Sequence, residues 1–151
     1  MRALTDQQLE GISALVSARR IEKVLPDQKR SRAFLNAAQE RLSQLPLLTS
    51  PAVIYDIAYD AAHDVGEAVL AAYGYRTTNR LGQHEALGRF LRAVFDAPPG
   101  HSAARRYDRL RRARNQNRYD AAVVGQAEAK FASDTAQALY TAAVERDIGE
   151  F

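Results

Sequence analysis

Apolar residues recur at three- and four-residue intervals along most of the chain, in six stretches separated by helix breakers. The first opens at Thr5 with Gln8 three residues on, the spacing of a capping box. Leu9, Ile12, Leu15, Val16 and Arg19 follow at helical intervals, and Pro26 and Asp27 close the stretch. The second runs from about Asp27 to Leu45, with Phe34, Ala37, Ala38, Arg41, Leu42 and Leu45 as its inward stripe. The third begins at Ser50–Pro51, a side-chain cap followed by a proline whose missing N–H costs nothing at the first helical position. Ile54, Ile57, Ala58, Ala61, Val65, Ala68, Val69 and Ala72 keep one face apolar, and Gly74 ends it. The fourth covers about Gln83 to Phe95, with Leu87, Phe90, Leu91 and Val94 inward. The fifth is capped by Ser102 after the loop DAPPGHS. The sixth follows a loop from Tyr119 to Gly125 and offers Val124, Ala127, Phe131, Ala138 and Val144 for packing. Connections of this length favour antiparallel neighbours. The pattern therefore predicts an all-α fold without β-sheet: an up-and-down antiparallel bundle of five to six helices, one domain over residues 1–151.

Composition agrees with that reading and removes several chemistries. Of 151 residues, 46% are hydrophobic, with only eight glycines and five prolines, too few breakers for a sheet protein rich in turns. Cysteine is absent, which excludes disulfides, thiolate metal sites and cysteine nucleophiles. No apolar run approaches the roughly 20 residues of a membrane helix, and the first residues lack the apolar centre of a signal peptide. These features predict a soluble, cytoplasmic protein that does not enter a membrane.

Charge changes the picture locally. The net charge is only +3, yet residues 105 to 118 hold Arg105, Arg106, Arg109, Arg111, Arg112, Arg114 and Arg118, opposed by Asp108 alone. Such a block neutralises phosphates even in a nearly balanced protein. Arg114, Leu110 and Ala121 fall within about 60° of Tyr107 on a helical wheel, so Arg114 lies on the apolar stripe. A guanidinium there is expensive to bury unpaired and needs a carboxylate, a cleft or a partner subunit. It is therefore either a structural ion pair or a phosphate-binding group.

Three pieces occur in a particular order. YDIAYDAAHDVGEAVLAAYGY comes first, then His84 and Leu87 opening the next helix, then Arg114, Asn115 and Tyr119 within RNQNRY late in the penultimate helix. Over residues 28 to 147 this order resembles the HEPN family (higher eukaryotes and prokaryotes nucleotide-binding). The resemblance implies a dimeric helical bundle. Many such proteins are metal-independent ribonucleases that pair R-x(4–6)-H motifs across the dimer. Many act in toxin–antitoxin or phage-defence systems, often beside a minimal nucleotidyltransferase, and others are noncatalytic binding modules.

This chain departs from the motif, because Tyr119 stands where the histidine belongs and no histidine follows His101. Cleavage through a 2′-hydroxyl needs a group that exchanges protons near neutral pH; histidine does so, and a tyrosine titrating near pH 10 does it poorly. Tyr119 is suited to bonding a phosphate or stacking on a base. Five residues along a continuous helix also rotate by about 140°, so Arg114 and Tyr119 meet only if the helix unwinds or a second subunit completes the site. Asn117 and Asp120 are suited to ending the helix there.

The remaining candidates are weighed by geometry. His84 reads either as a local helix-start residue or as a contact to the Arg114 region, and His101 reads as an exposed loop residue. Asp60, His63, Asp64 and Glu67 share a face that reads as solvated and acidic, since a bundle-core metal site needs a second ligand helix that is absent. No metal or other cofactor is implied. Tyr55, Tyr59 and Gly66 border the same outer face and suggest a dimer contact.

Two functional readings result. In the first, Arg114, Asn115 and Tyr119 bind RNA or nucleotide phosphate, with Arg111, Arg118 and His84 in support, and in its stronger form cleave RNA as an endoribonuclease. In the second, the chain is a noncatalytic module that dimerises or holds an antitoxin or nucleotidyltransferase, and Arg114 is a structural ion pair.

Overall fold

A computed structural model describes residues 1–78 and 81–150. The predicted single domain also spans positions 79, 80 and 151, which lie outside the described residues. The described residues form an all-α bundle of six α-helices: α1 (Asp6–Ser17), α2 (Gln28–Gln44), α3 (Pro51–Tyr73), α4 (Gln83–Val94), α5 (Gly100–Asp120) and α6 (Gln126–Glu145). One cluster of buried side chains runs through all six. Among the described residues, no helix is long and apolar enough to cross a membrane.

Local punctuation sets the helix ends. The Thr5 hydroxyl accepts from the Gln8 amide, and the Gln8 side chain accepts from the Thr5 amide at 2.8 Å. Asp27 caps α2 by accepting from the Arg30 amide at 2.9 Å. Ser50 and Pro51 open α3, and Gly74, with φ of +80°, closes it. One boundary differs from expectation: α5 starts at Gly100, so Ser102 lies inside its first turn and does not cap it.

The predicted absence of β-structure is corrected by a two-stranded ribbon. Strand β1 (Ile21–Lys23) pairs antiparallel with β2 (Tyr75–Thr77), Ile21 opposite Thr77 and Lys23 opposite Tyr75. The first helix accordingly stops at Ser17, well before Pro26. Arg19 adopts a left-handed conformation, φ +57°, and turns the chain into the strand. Gly74 does the same at the other end, and its carbonyl accepts from the Val24 amide at 2.8 Å. A Cβ on Gly74 would lie 2.7 Å from the Val24 carbonyl oxygen, in addition to the cost of a left-handed residue. Gly74→Ala is expected to lower stability by about 2 kcal/mol, read as a lower urea midpoint with an unchanged slope.

The bundle is organised around α3, which packs against α2, α4, α5 and α6. Its alanines let neighbours approach from several sides. It is consequently buried on most of its surface, including Tyr55, Tyr59 and Gly66, which the sequence placed on an outer face. Those three do not form an exposed dimer patch. The Tyr55 hydroxyl donates to the Leu110 carbonyl of α5 at 2.8 Å, and Gly66 leaves room for the Leu87 side chain of α4.

The stripe of α2 is rotated from its predicted phase, with Ser31, Leu35 and Ala38 buried. The Ser31 hydroxyl donates to the Ala68 carbonyl at 2.8 Å, a contact no apolar pattern reveals. In α6 the buried residues are Ala129, Ala132, Thr135, Ala136, Leu139, Ala142 and Ala143, while Val144 and Ala127 face outward. Small residues let α6 lie close against α3, and the larger side chains sit at its margins. In α4 the predicted Leu87, Phe90, Leu91 and Val94 are all buried.

Candidate functional site

Arg114 projects from α5 into the groove over α3, its side chain only 17% exposed. Its guanidinium carbon lies 4.4 Å from the centre of the Tyr59 ring, a cation–π arrangement. Asp56 and Asp60, one turn apart on α3, hold one carboxylate oxygen each at 3.8 Å from the Arg114 Nε and Nη2. Those distances give Coulomb attraction without hydrogen bonds, and the buried Nε has no acceptor among the described residues. The carboxylates are half exposed, which leaves them accessible to solvent. Arg114 is thus attracted to its neighbours and still short of acceptors.

The groups around it come from three helices. One turn earlier on α5, Arg111 donates through Nη2 and Nε to Asp108 Oδ1 at 3.0 and 3.2 Å. From α4, His84 Nδ1 lies 2.6 Å from the Tyr59 hydroxyl, with the two ring planes 7° apart. Beneath them the Tyr107 ring runs nearly parallel to that of Tyr59 at 5.8 Å. The Tyr107 hydroxyl acts electrically on that of Tyr59 but makes no hydrogen bond of normal geometry. His63 of α3 packs on His84 with ring centres 4.5 Å apart, and its Nε2 faces Glu67 Oε1 at 3.7 Å.

Burial governs how these groups titrate. It lowers the His63 pKa to about 4, helped by His84 and Arg114. It also lowers that of His84, with Arg114 and Arg111 adding repulsion and Asp60 opposing them. Burial raises the pKa of Tyr59 and of Tyr107 and that of Glu67. At neutral pH the aromatic part of the cluster is therefore uncharged, and Arg114 is the cation resting on it.

The structure brings together Arg114, Arg111 and His84 from the sequence-derived set and separates the others. Helix α5 is unbroken to Asp120, so Tyr119 stays about 140° around it from Arg114. Tyr119 is 90% exposed. Asn115 and Arg118 also face outward. Within one protomer, Arg114, Asn115 and Tyr119 do not form a common site, because the helix never unwinds between them.

Two further expectations are corrected. The Asp60–Glu67 face is not a solvated acidic surface: Asp64 is buried against Arg41 of α2 at 2.8 Å, and His63 is enclosed against α4. His101 belongs to the first turn of α5 and not to a loop, and its Nδ1 is buried without a partner.

Sequence reasoning missed Asp56, Tyr59 and His63 as site groups, although a signal exists. Asp56, Asp60, His63 and Glu67 fall within about 60° on a helical wheel, with Tyr59 at its edge. A polar and aromatic stripe on an otherwise apolar helix marks a buried polar contact with a neighbour. Asn117 was also missed in this role; its Nδ2, one turn beyond Arg114, is buried and unbonded. Among the described residues, no group of three or more histidines and carboxylates is placed to hold a metal ion. No family model matches the chain, and no curated protein or solved structure matches it.

Proposed function

We propose that this chain is a HEPN-like, cytoplasmic component of a toxin–antitoxin or defence system that binds RNA or nucleotide phosphate at Arg114. The observation that carries the reading is the half-satisfied guanidinium. A buried cation that made only a structural bridge would be expected to use its donors on its carboxylates. Here both carboxylates stay at 3.8 Å and Nε has no acceptor among the described residues. A phosphate offers several acceptor oxygens and a charge in the right place. Arg111 and His84 flank the position, and the helical architecture agrees with what the HEPN resemblance implies.

The ribonuclease form of the proposal needs a proton-exchanging group next to Arg114. Tyr119 reaches an Arg114 only from the second protomer of a homodimer, since its own lies on another face of α5. The test is binding and cleavage of mixed-sequence single-stranded RNA by the purified protein and by Arg114→Ala. Binding by the wild type alone supports the phosphate site, and cleavage by the wild type alone supports the enzyme. Equal residual cleavage in both removes the enzymatic form.

The attraction of Arg114 to Asp56 and Asp60 favours a second reading. In it the chain is a noncatalytic module that dimerises or holds a partner such as an antitoxin or a minimal nucleotidyltransferase, and Arg114 stabilises the bundle. RNA binding that is absent or indifferent to Arg114, together with a large stability loss in Arg114→Ala, supports this reading over the first.

A further inference from the structure

We infer that His84 is a direct ligand group of the Arg114 site through its Nε2 and that a bound phosphate brings a second proton onto its ring. The inference rests on the phosphate-binding reading and adds a third, conditional cation to it. Geometry supplies the first part. The Nδ1 of His84 is occupied by the Tyr59 hydroxyl, and the Arg114 guanidinium lies over that same tyrosine ring. One aromatic ring therefore fixes both groups. Among the described residues the second nitrogen, Nε2, has no hydrogen-bond partner, and it is not among the sealed, unbonded atoms. It remains open to a ligand.

Electrostatics supplies the second part. Among the described residues, the charged and titratable groups facing His84 are Tyr59, Asp60 and His63 of α3 and Arg111 and Arg114 of α5. On its own helix, Glu85 is engaged by Arg20 and Arg89. In the free protein burial disfavours a proton on His84 and the two arginines add repulsion, with Asp60 opposing them, so the ring is neutral near pH 7. A phosphate seated on Arg114 offsets the arginine charge and attracts a proton to the nearby imidazole. The proton comes from solvent, adds to the lone pair of the ring nitrogen, and leaves an imidazolium N–H that donates to a phosphate oxygen. The Tyr59 oxygen accepts from the Nδ1–H of that ion. By linkage, affinity rises as pH falls from the bound-state pKa of His84 to its lower free-state pKa, and is flat outside that interval.

The test uses a short single-stranded RNA without terminal phosphates, because phosphodiesters do not titrate in this range. Titration calorimetry at pH 6.5 in two buffers of different ionisation enthalpy gives the number of protons taken up. The wild type is expected to take up a substantial fraction of one proton, and to bind several-fold more weakly at pH 8 than at pH 6. His84→Gln is expected to bind with no uptake and no pH dependence. His63→Gln is expected to keep the uptake. Wild-type binding without proton uptake overturns the inference and leaves the phosphate site standing, as does uptake that survives in His84→Gln or disappears only in His63→Gln. RNA binding that is absent, or unchanged in Arg114→Ala, overturns the phosphate site itself.

Discussion

Arg114→Ala is expected to weaken RNA binding by about 10- to 100-fold while costing less than about 2 kcal/mol of stability. The first figure follows from removing charge-assisted hydrogen bonds to phosphate, worth roughly 1.5–3 kcal/mol. The second follows from what the deletion leaves behind. Truncating one member of a sealed ion pair strands a buried charge and costs roughly 3–5 kcal/mol. Asp56 and Asp60, however, are half exposed and already share Arg114 at long range, so water takes over their solvation. What disappears is the packing of the arginine stem and its contact with the Tyr59 ring.

Arg114→Lys sharpens the comparison. Lysine keeps the charge and a long stem but lacks the planar fork of donors, so stability should largely return while affinity stays several-fold below wild type. Asp56→Asn should act oppositely and tighten RNA binding a few-fold, because a competitor for the guanidinium loses its charge. Fluorescence anisotropy with a labelled RNA and urea melts on the same samples measure both quantities. A stability loss well above 2 kcal/mol with unaltered RNA affinity would sink the binding site in favour of the structural ion pair.

The parts of this fold that were legible in the sequence are those decided within a turn or two. Thr5 with Gln8, Ser50 with Pro51, and Gly74 mark helix ends because a cap is a contact between residues three or four apart. The ribbon was not legible, since three-residue strands carry too little alternation to show a period, and the turn at Arg19 uses a residue with no preference for a left-handed conformation.

The helical phases failed where composition is ambiguous. On α3, alanines on nearly every side give no single apolar face, so the isoleucines seemed to define the interior and the tyrosines the exterior. Packing reversed this: Tyr55 and Tyr59 are buried with their hydroxyls bonded, and Ile54 and Ile57 are only partly covered. The inward direction of Arg114 was legible from Tyr107 and Leu110 on its own helix. Its companions were not, because Asp56, Tyr59 and His84 are brought to it by the crossing of three helices.

Acidification is expected to remove about 2 kcal/mol of stability between pH 7 and pH 4.5 through His63 alone. The sign follows from where the proton goes. In the unfolded chain His63 titrates near its ordinary value, about 6.5; in the folded protein burial, His84 and Arg114 hold it near 4. Between those values the unfolded chain binds a proton that the folded chain refuses, so falling pH favours unfolding. The contribution is intact above about pH 6.5 and fully lost below about pH 4, where a shift of that size amounts to about 3 kcal/mol. His84 acts in the same direction. Glu67 and Asp64 act in the opposite one, because burial raises their pKa and protonation relieves it. The total acid sensitivity is therefore a sum of opposing contributions, and a variant is needed to isolate His63. Urea melts of the wild type and His63→Gln at pH 7 and pH 4.5 do this, with the variant expected to lose about 2 kcal/mol less than the wild type over the interval. Parallel losses in the two proteins would mean that the folded state admits a proton at His63 without penalty. Arg114→Ala provides an internal check. Deleting a cation that repels the His63 proton should raise the folded-state pKa and narrow the acid loss, linking the stability of the bundle to the charge in its groove.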